Sequence, residues 1–463
     1  MSQTVSKVRE AKLELYRKQG KIHARQVDGK FNRLRWLMVW LTQIIFYGGC
    51  WLSWESQGVV RQAILLDIAH ERLYLFGLVL WPQDALLLAF MLILGATLLF
   101  LVTALAGRLF CGFACPQTVY TQIFTWIEAR VEGDHLDRLR LDQGPLSGRK
   151  LWLKSIKHGL WIVFAGWTAI TFVGYFTPIR ELLPSIATFQ TGPWESFWLI
   201  FYASFTYVQA GLAREAVCQH MCPYSRFQGV MIDAATSNVA YDRTRGEPRR
   251  ERRQSAAAGD CVDCGICVQV CPTGIDIRDG LQHQCINCGL CIDACDQVMD
   301  KVNKPRGLIR FASENQLQRQ PRPDRRWQRP RVAIYLGLSL LFAGLSIGLL
   351  SQRSLLLVDV LRDRGALLRE NAAGEIENSY TLQLSNLDDR QRQFRVSVAG
   401  LSGLHLLGND RFTVAPGSIQ SITLTLARPN TGAPSGVQPI LFHIEPLHDP
   451  ATRASEKSTF ILP

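Results

Sequence analysis

No histidine pair stands inside any apolar run of this 463-residue chain; of its nine histidines only His158 comes near, at the edge of one run. Haem held between membrane helices needs axial ligands such as histidine on both faces of its iron, so the sequence argues against a cytochrome b. Glycine fingerprints of the Rossmann and P-loop kinds are missing too, which leaves flavin and nucleotide binding without a sequence basis. Cysteine does not occur after Cys295, so the C-terminal part has neither disulfides nor sulfur ligands. Cations are scarce in two places: only Arg61 and Arg72 lie between the first and second apolar runs, and only Arg180 between the third and fourth.

Sulfur is present, and in a pattern. Eight of the thirteen cysteines form two blocks, Cys261-x2-Cys264-x2-Cys267-x3-Cys271-Pro272 and Cys285-x2-Cys288-x2-Cys291-x3-Cys295. At this bacterial ferredoxin spacing the fourth cysteine of each block reaches the cluster of the other. The expected sets are Cys261, Cys264, Cys267 and Cys295 on one 4Fe-4S cluster, and Cys285, Cys288, Cys291 and Cys271 on the second. A zinc ribbon needs only four cysteines in two CxxC pairs, and disulfides do not suit a reducing compartment. Asp296 replaces the proline that follows the first block, a change at a turn that leaves the ligands intact.

Hydrophobic residues make up 48% of the chain and its mean hydropathy is +0.05. This is too apolar for a soluble protein and too polar for a pure transporter, and it points to a membrane protein with domains outside the bilayer. The stretches 37–54, 85–105, 159–176, 194–212 and 332–350 approach the ~20 residues that a spanning helix needs. The net charge of +12 is not a nucleic-acid signature, because the basic residues gather beside apolar runs, at 7–35, 130–157 and 249–253. The positive-inside rule puts these segments and the N-terminus in the cytoplasm and, after five crossings, the C-terminus outside. Trp54, Trp81 and Trp194 fall at outer boundaries as interfacial anchors. About 35 polar, basic residues precede the first run, so no cleavable signal peptide is expected. Twelve cysteines then lie on the cytoplasmic side or at its boundary, and Cys50 is expected to be a small buried apolar residue.

The second and fourth runs end alike, in Cys111-x3-Cys115-Pro116 and Cys218-x3-Cys222-Pro223. This repeat suggests two parallel hairpins related by an axis along the membrane normal. Each proline should open a new helix lying along the membrane surface. Cysteines at i and i+4 share a helical face or flank a helix start, where thiolates are stabilised. Four such sulfurs form a soft ligand set for Cu(I) or an iron–sulfur centre, with His220 and Met221 as an added imidazole and thioether. Packing of small apolar residues at helix ends is the plain alternative. Beyond the fifth run the alternation changes to period two, in Tyr380, Leu382 and Leu384, in Phe394, Val396 and Val398, and in Ile422, Leu424 and Leu426, which predicts an antiparallel immunoglobulin-like sandwich suited to docking.

The fold expected is a multi-domain membrane protein: a basic segment 1–36, a four-span domain 37–212, a cytoplasmic two-cluster ferredoxin domain with an extended linker over 213–330, a fifth helix 331–351, and a periplasmic Ig-like β-domain 352–463. Over nearly its whole length the chain resembles the FixG/CcoG-type cytochrome c oxidase accessory proteins found with cbb-type oxidases of Gram-negative bacteria. The resemblance rests on the two CxxxCP pairs, the ferredoxin blocks and the junction with Asp359, Arg362, Gly374, Asn378 and Tyr380. It implies an inner-membrane oxidoreductase that reduces Cu(II) to Cu(I) at Cys111, Cys115, Cys218 and Cys222 while copper is delivered to the oxidase. The partners implied are a cytoplasmic electron donor, copper ions, membrane lipid, and oxidase subunits or copper-delivery proteins. Two other readings compete: a quinol-dehydrogenase-like ferredoxin feeding a periplasmic acceptor, and a non-catalytic assembly factor with structural clusters.

Overall fold

The computed structural model describes residues 21–56, 59–249, 259–318, 329–363, 368–388, 390–430, 435–447 and 453–463. Most of the expected linker, part of the N-terminal basic stretch and most of the basic segment 249–253 lie outside the described residues. The chain divides into two compact units. One holds the chain up to Gly48, Gly95–Val173 and Ser185–Ser339; the other holds Gly49–Leu94, Gly174–Pro184 and Leu340–Pro463.

Helices dominate the first part of the chain: α1 (Lys30–Gly49), α2 (Ala85–Ala106), α3 (Leu109–Phe113), α4 (Pro116–Glu132), α5 (His135–Gln143), α6 (Gly148–Val173), α7 (Ile179–Ala187), α8 (Pro193–Thr206) and α9 (Pro223–Met231). Among the described residues three helices are long and apolar enough to cross a membrane: Pro82–Ala106, Gly148–Val173 and Pro330–Ser351. Leu92, Val163 and Ile347 on them are exposed, as lipid-facing side chains are. The expected runs 37–54 and 194–212 give shorter elements. The first opens with Lys30, Arg33 and Arg35 and stops at Gly49, leaving Trp54 in a strand. The other is a 14-residue helix that widens into a π-helical stretch, Tyr207–Ala213.

The C-terminal part is a sandwich of two antiparallel sheets. One runs His405–Leu407, Ile419–Pro429, Glu375–Asn386 and Leu356–Arg362, with Arg369–Glu370 added at the edge of Glu375–Asn386; the other runs Arg411–Val414, Arg392–Ala399, Gly436–Pro446 and Ala454–Leu462. The predicted alternation sets the core. Tyr380, Leu382, Leu384, Phe394, Val396, Ile422, Leu424 and Leu426 are buried, and Val398 packs against them half-buried. Each such side chain is worth about 1.5–3 kcal/mol removed from water. Leu382 faces Ile422 on one neighbour and Val360 on the other, and the Tyr380 hydroxyl donates to the Thr459 carbonyl at 2.9 Å.

Two small sheets between α1 and α2 were not foreseen: a hairpin of Ser53–Ser56 with Val59–Gln62, and a meander of Ile64–Asp67, Arg72–Leu75 and Leu78–Leu80. Arg72 crosses from the meander to donate to the Gly417 carbonyl at 2.8 Å, and Arg353 grips Asp84 and the Val79 carbonyl. Cys50, as expected, is buried.

Candidate functional site

The two ferredoxin blocks fold as copies of one another. Asp263 and Asn287 occupy equivalent places with φ of 49° and 53°, and Gly265 and Gly289 follow two residues later with φ of 68° and 76°. Such left-handed residues in a turn aim successive backbone N–H groups inward, a concavity suited to negatively charged sulfur. The first glycine caps the short helix Ile266–Gln269 and the second caps Leu290–Lys301, so the third cysteine of each block, Cys267 or Cys291, sits in the first turn of a helix. The shared pattern Cys-x-Asp/Asn-Cys-Gly was present in the sequence and carries this geometry, although the cysteine spacing alone was read.

Two small cavities lie inside this domain. Cys261, Cys264, Cys267 and Cys295 line one; Cys271, Cys285, Cys288 and Cys291 line the other, joined there by Cys267. Their remaining walls are mostly aliphatic, including Val239, Ile275 and Ile277 around one and Val298, Leu308 and Ile309 around the other. Four thiols facing a dry pocket fit a cube, which places each sulfur on a different iron. Burial pushes the Cys267 thiol up to about 11 and those of Cys285 and Cys295 up to about 12, and neighbouring Cys267, Asp296, Cys261 and Cys264 add to the rise at Cys295. Metal binding must therefore displace protons that the bare site holds firmly. Asp296, expected at a turn, instead lies inside the helix Leu290–Lys301, which continues through Cys295 where a proline would break it, and accepts from the Gly307 N–H at 2.9 Å.

The structure also brings the two CxxxCP pairs together. Cys111 lies in α3 and Cys218 in a second π-helical stretch, Val217–Met221. Cys115 and Cys222 cap α4 and α9 in matching extended conformations, with the expected proline at the first helical position of each. Burial pushes Cys111 up to about 11 and Cys218 up to about 12, and the mutual repulsion of Cys111, Cys115, Cys218 and Cys222 contributes to both. The expected stabilisation of thiolates at helix starts is thus outweighed: Cys115 receives backbone N–H bonds from Gln117 and Thr118, yet desolvation still raises it. Cys111 Sγ lies 3.4 Å from Gln228 Oε1. His220 and Met221 are exposed. Among the described residues no three His, Cys, Asp or Glu side chains converge closely enough to hold one metal ion, so the expected addition of His220 to a ligand set is not seen. Cys218 also lines a cavity of about 300 Å³ with Arg35, Trp36, Gln117, Glu215 and Ile286.

The second ferredoxin block lies against this group. A Cβ placed on Gly112 would stand 2.6 Å from the Ile286 carbonyl and 3.0 Å from Cys288 Cα, so only glycine lets the two segments meet. Cys111 packs in one apolar cluster with Ile286, Cys288 and Cys291.

Comparison with known proteins agrees with this layout. A 4Fe-4S dicluster family matches residues 213–314, a second 4Fe-4S binding family matches 88–132, and the Ig-like fold at the C-terminus of FixG matches 346–463. The nitrogen fixation protein FixG of Rhizobium meliloti (strain 1021) is 37% identical over 423 residues, 84% of this chain and 80% of its own. This chain belongs to the FixG family. Protein RdxA of Cereibacter sphaeroides is 38% identical over 400 residues, 84% of either chain. A crystal structure of a FixG-related protein from Vibrio parahaemolyticus aligns at 25% identity with 24% of this chain and 98% of its own, at a TM-score of 0.22. As a FixG-type chain the protein is an iron–sulfur electron-transfer protein.

Sequence reasoning missed the acids that hold this FixG-family site in place. Glu128 of α4 is fully buried and meets Lys21 at 2.7 Å, Arg214 at 2.8 Å, and Arg138 and Lys157 at 3.6 Å. Burial alone would raise its carboxyl, but Arg214 and Lys21 hold it well below the usual carboxylate range. Glu132, one turn on, meets Lys157 at 2.9 Å and Lys154 at 3.0 Å. The i, i+4 spacing of the two acids within a basic segment was the available signal.

Proposed function

We propose that this chain is an inner-membrane relay that carries single electrons through two 4Fe-4S clusters to Cys111, Cys115, Cys218 and Cys222, where Cu(II) is reduced to Cu(I) for assembly of a cbb-type cytochrome c oxidase. Cys261, Cys264, Cys267 and Cys295 hold one cluster and Cys271, Cys285, Cys288 and Cys291 the other. The observation that carries the reading is the close approach of residues 111–115 to Ile286 and Cys288, which sets the four-cysteine group beside one cluster set. Each copper ion would take one electron; Cys271, Cys285, Cys288 and Cys291 would hold the group that supplies it, and a cytoplasmic donor would restore that electron. Thiolate sulfur favours Cu(I) over Cu(II) and so eases the reduction. The cavity beside Cys218 leaves room for an ion to reach the group; the thiols then close on it by side-chain rotation.

The proposed topology has five crossings, with the N-terminus and clusters in the cytoplasm and the Ig-like domain in the periplasm. Among the described residues, the helices Pro82–Ala106, Gly148–Val173 and Pro330–Ser351, each long and apolar enough to cross a membrane, support three of these crossings. The domain division follows from this topology: four spans over 37–212, the cluster domain over 213–330, and the exported domain from 352.

Cys111→Ser and Cys218→Ser test the function. In anaerobically purified protein each should lower Cu(II) reduction, read with a Cu(I)-specific chelator, while the iron content and cluster EPR signals persist. Reduction at the wild-type rate in both variants would make these cysteines packing residues. A second reading, a third iron–sulfur centre held by the same four cysteines, is favoured by the 4Fe-4S match over 88–132, which includes Cys111 and Cys115. Iron analysis separates the two: about eight irons per chain fits two cubes, and about twelve fits three.

A further inference from the structure

Two arginines are buried beside the second cysteine set without an acid to pair them. Arg35, in the first turns of α1, is 5% exposed, and its Nε donates to the Gly112 carbonyl at 3.2 Å. Arg108, between α2 and α3, is also 5% exposed and donates from Nη2 to the Ser225 carbonyl at 2.6 Å. Among the described residues neither has a carboxylate within ion-pair distance. Among the described residues Arg138 and Arg214 share Glu128, and Arg278 is held by Asp276 and Asp263, while Arg428 of the β-sandwich is a third buried arginine without an ion pair and donates to the Ser402 carbonyl. The positive-inside rule does not account for the burial of Arg35 and Arg108, since it is satisfied by cations in water. An unpaired buried guanidinium is costly, and a negative group facing it offsets that cost.

What faces them is sulfur. Burial weakens the hold of each guanidinium on its proton, while Cys288 and Cys271 strengthen it at Arg35, and Cys111, Cys285, Cys218 and Cys222 strengthen it at Arg108. Arg35 hydrogen-bonds the glycine that packs on Cys288, and Arg108 is held to Ser225, three residues beyond Cys222. The acid nearest the second cysteine set in sequence, Asp293, two residues after Cys291, accepts instead from the N–H groups of Phe31 and Asn32. The first cysteine set has the opposite surroundings: its neighbouring cation Arg278 is neutralised by two aspartates, Asp296 follows Cys295, and Cys264 is exposed.

We propose that Arg35 and Arg108 are potential-setting residues that make the cluster of Cys271, Cys285, Cys288 and Cys291 the more easily reduced of the two, so that electrons enter at the exposed first cluster and run toward the four-cysteine group. The proposal rests on the ligand assignment given above. Its physical basis is that reduction adds a negative charge to a buried cluster, which an uncompensated cation stabilises strongly at low dielectric.

The test is an EPR-monitored redox titration of anaerobically purified protein, with the first cluster's signal identified by Cys264→Ser. In the wild type the second cluster should be reduced first. Arg35→Gln and Arg108→Gln should each lower the second cluster's midpoint potential and leave the first unmoved, whereas Arg35→Lys, which keeps the charge, should stay near the wild type. Equal potentials, reversed order, or a shift in Arg35→Lys as large as in Arg35→Gln would overturn the proposal. If the glutamine variants lose iron, the order of reduction in the wild type decides alone. A wild-type protein without two clusters refutes the ligand assignment instead.

Discussion

The cysteines were the most legible residues in the chain, because ligand spacing is a local property written directly in sequence. Their surroundings were not legible, because they come from residues far away: Lys21 reaches Glu128 across 107 positions, and Arg35 reaches Gly112 across 77. Glu128 supports the sharpest residue-scale prediction. Glu128→Gln leaves Arg138, Arg214 and Lys157 buried around a neutral amide, and removing one partner from such a network costs about 3–5 kcal/mol. Thermal unfolding in detergent should show a large fall in Tm, whereas Lys21→Ala, at a half-exposed position, should have a much smaller effect. Asp142 supplies a pH dependence. Burial raises its carboxyl but Lys154 and Lys21 bring it down to about 2 from an ordinary 3.8. A depressed pKa stabilises the fold above the unfolded value and loses that contribution as pH falls through the folded one. Asp142→Asn should therefore flatten the stability curve between about pH 4 and pH 2.

At the scale of elements, period-two alternation identified the sandwich because both sheets bury one face only, and the core it marked at Tyr380, Phe394 and Leu424 is the observed one. The meander of Ile64–Leu80 was missed because its strands have three or four residues and lie among apolar runs, where alternation is too short to read. The widening of α8 was hidden for a different reason. Its cause is tertiary: Gly211 packs against Trp161 and Phe124, and Arg214, at a positive φ of 43°, turns back to Glu128. Removing the chain from about Asp359 onward should leave the iron content and cupric reductase activity in detergent largely intact while impairing oxidase assembly in cells. Loss of iron in that truncation would show that the sandwich supports the cluster domain rather than docking a partner.

For the whole molecule the distribution of Lys and Arg predicts a direction for every segment, and a reporter experiment checks it. Alkaline phosphatase fused after Arg353 should be active and a fusion at Arg249 inactive; the reverse would put the clusters outside the cytoplasm. The long helices were unevenly legible: Pro82–Ala106, Gly148–Val173 and Pro330–Ser351 each contain an apolar window of 18 residues, whereas the apolar stretch of α1 stops at Gly49 and α8 passes into irregular turns. The bond from Arg72 to Gly417 adds a dimension of time. Its ends are 345 residues apart, and Arg353 and Asp84 are 269 apart. At a synthesis rate of roughly 5–20 residues per second, the segment around Arg72 and Trp81 leaves the ribosome tens of seconds before its partners exist. During that interval Trp81, over which Arg72 stacks and against which Gly417 packs, has no cover. A nascent chain stalled in this window presents an unfinished surface that chaperones or proteases can recognise, so completion of the last strands marks the moment at which the protein becomes safe from them.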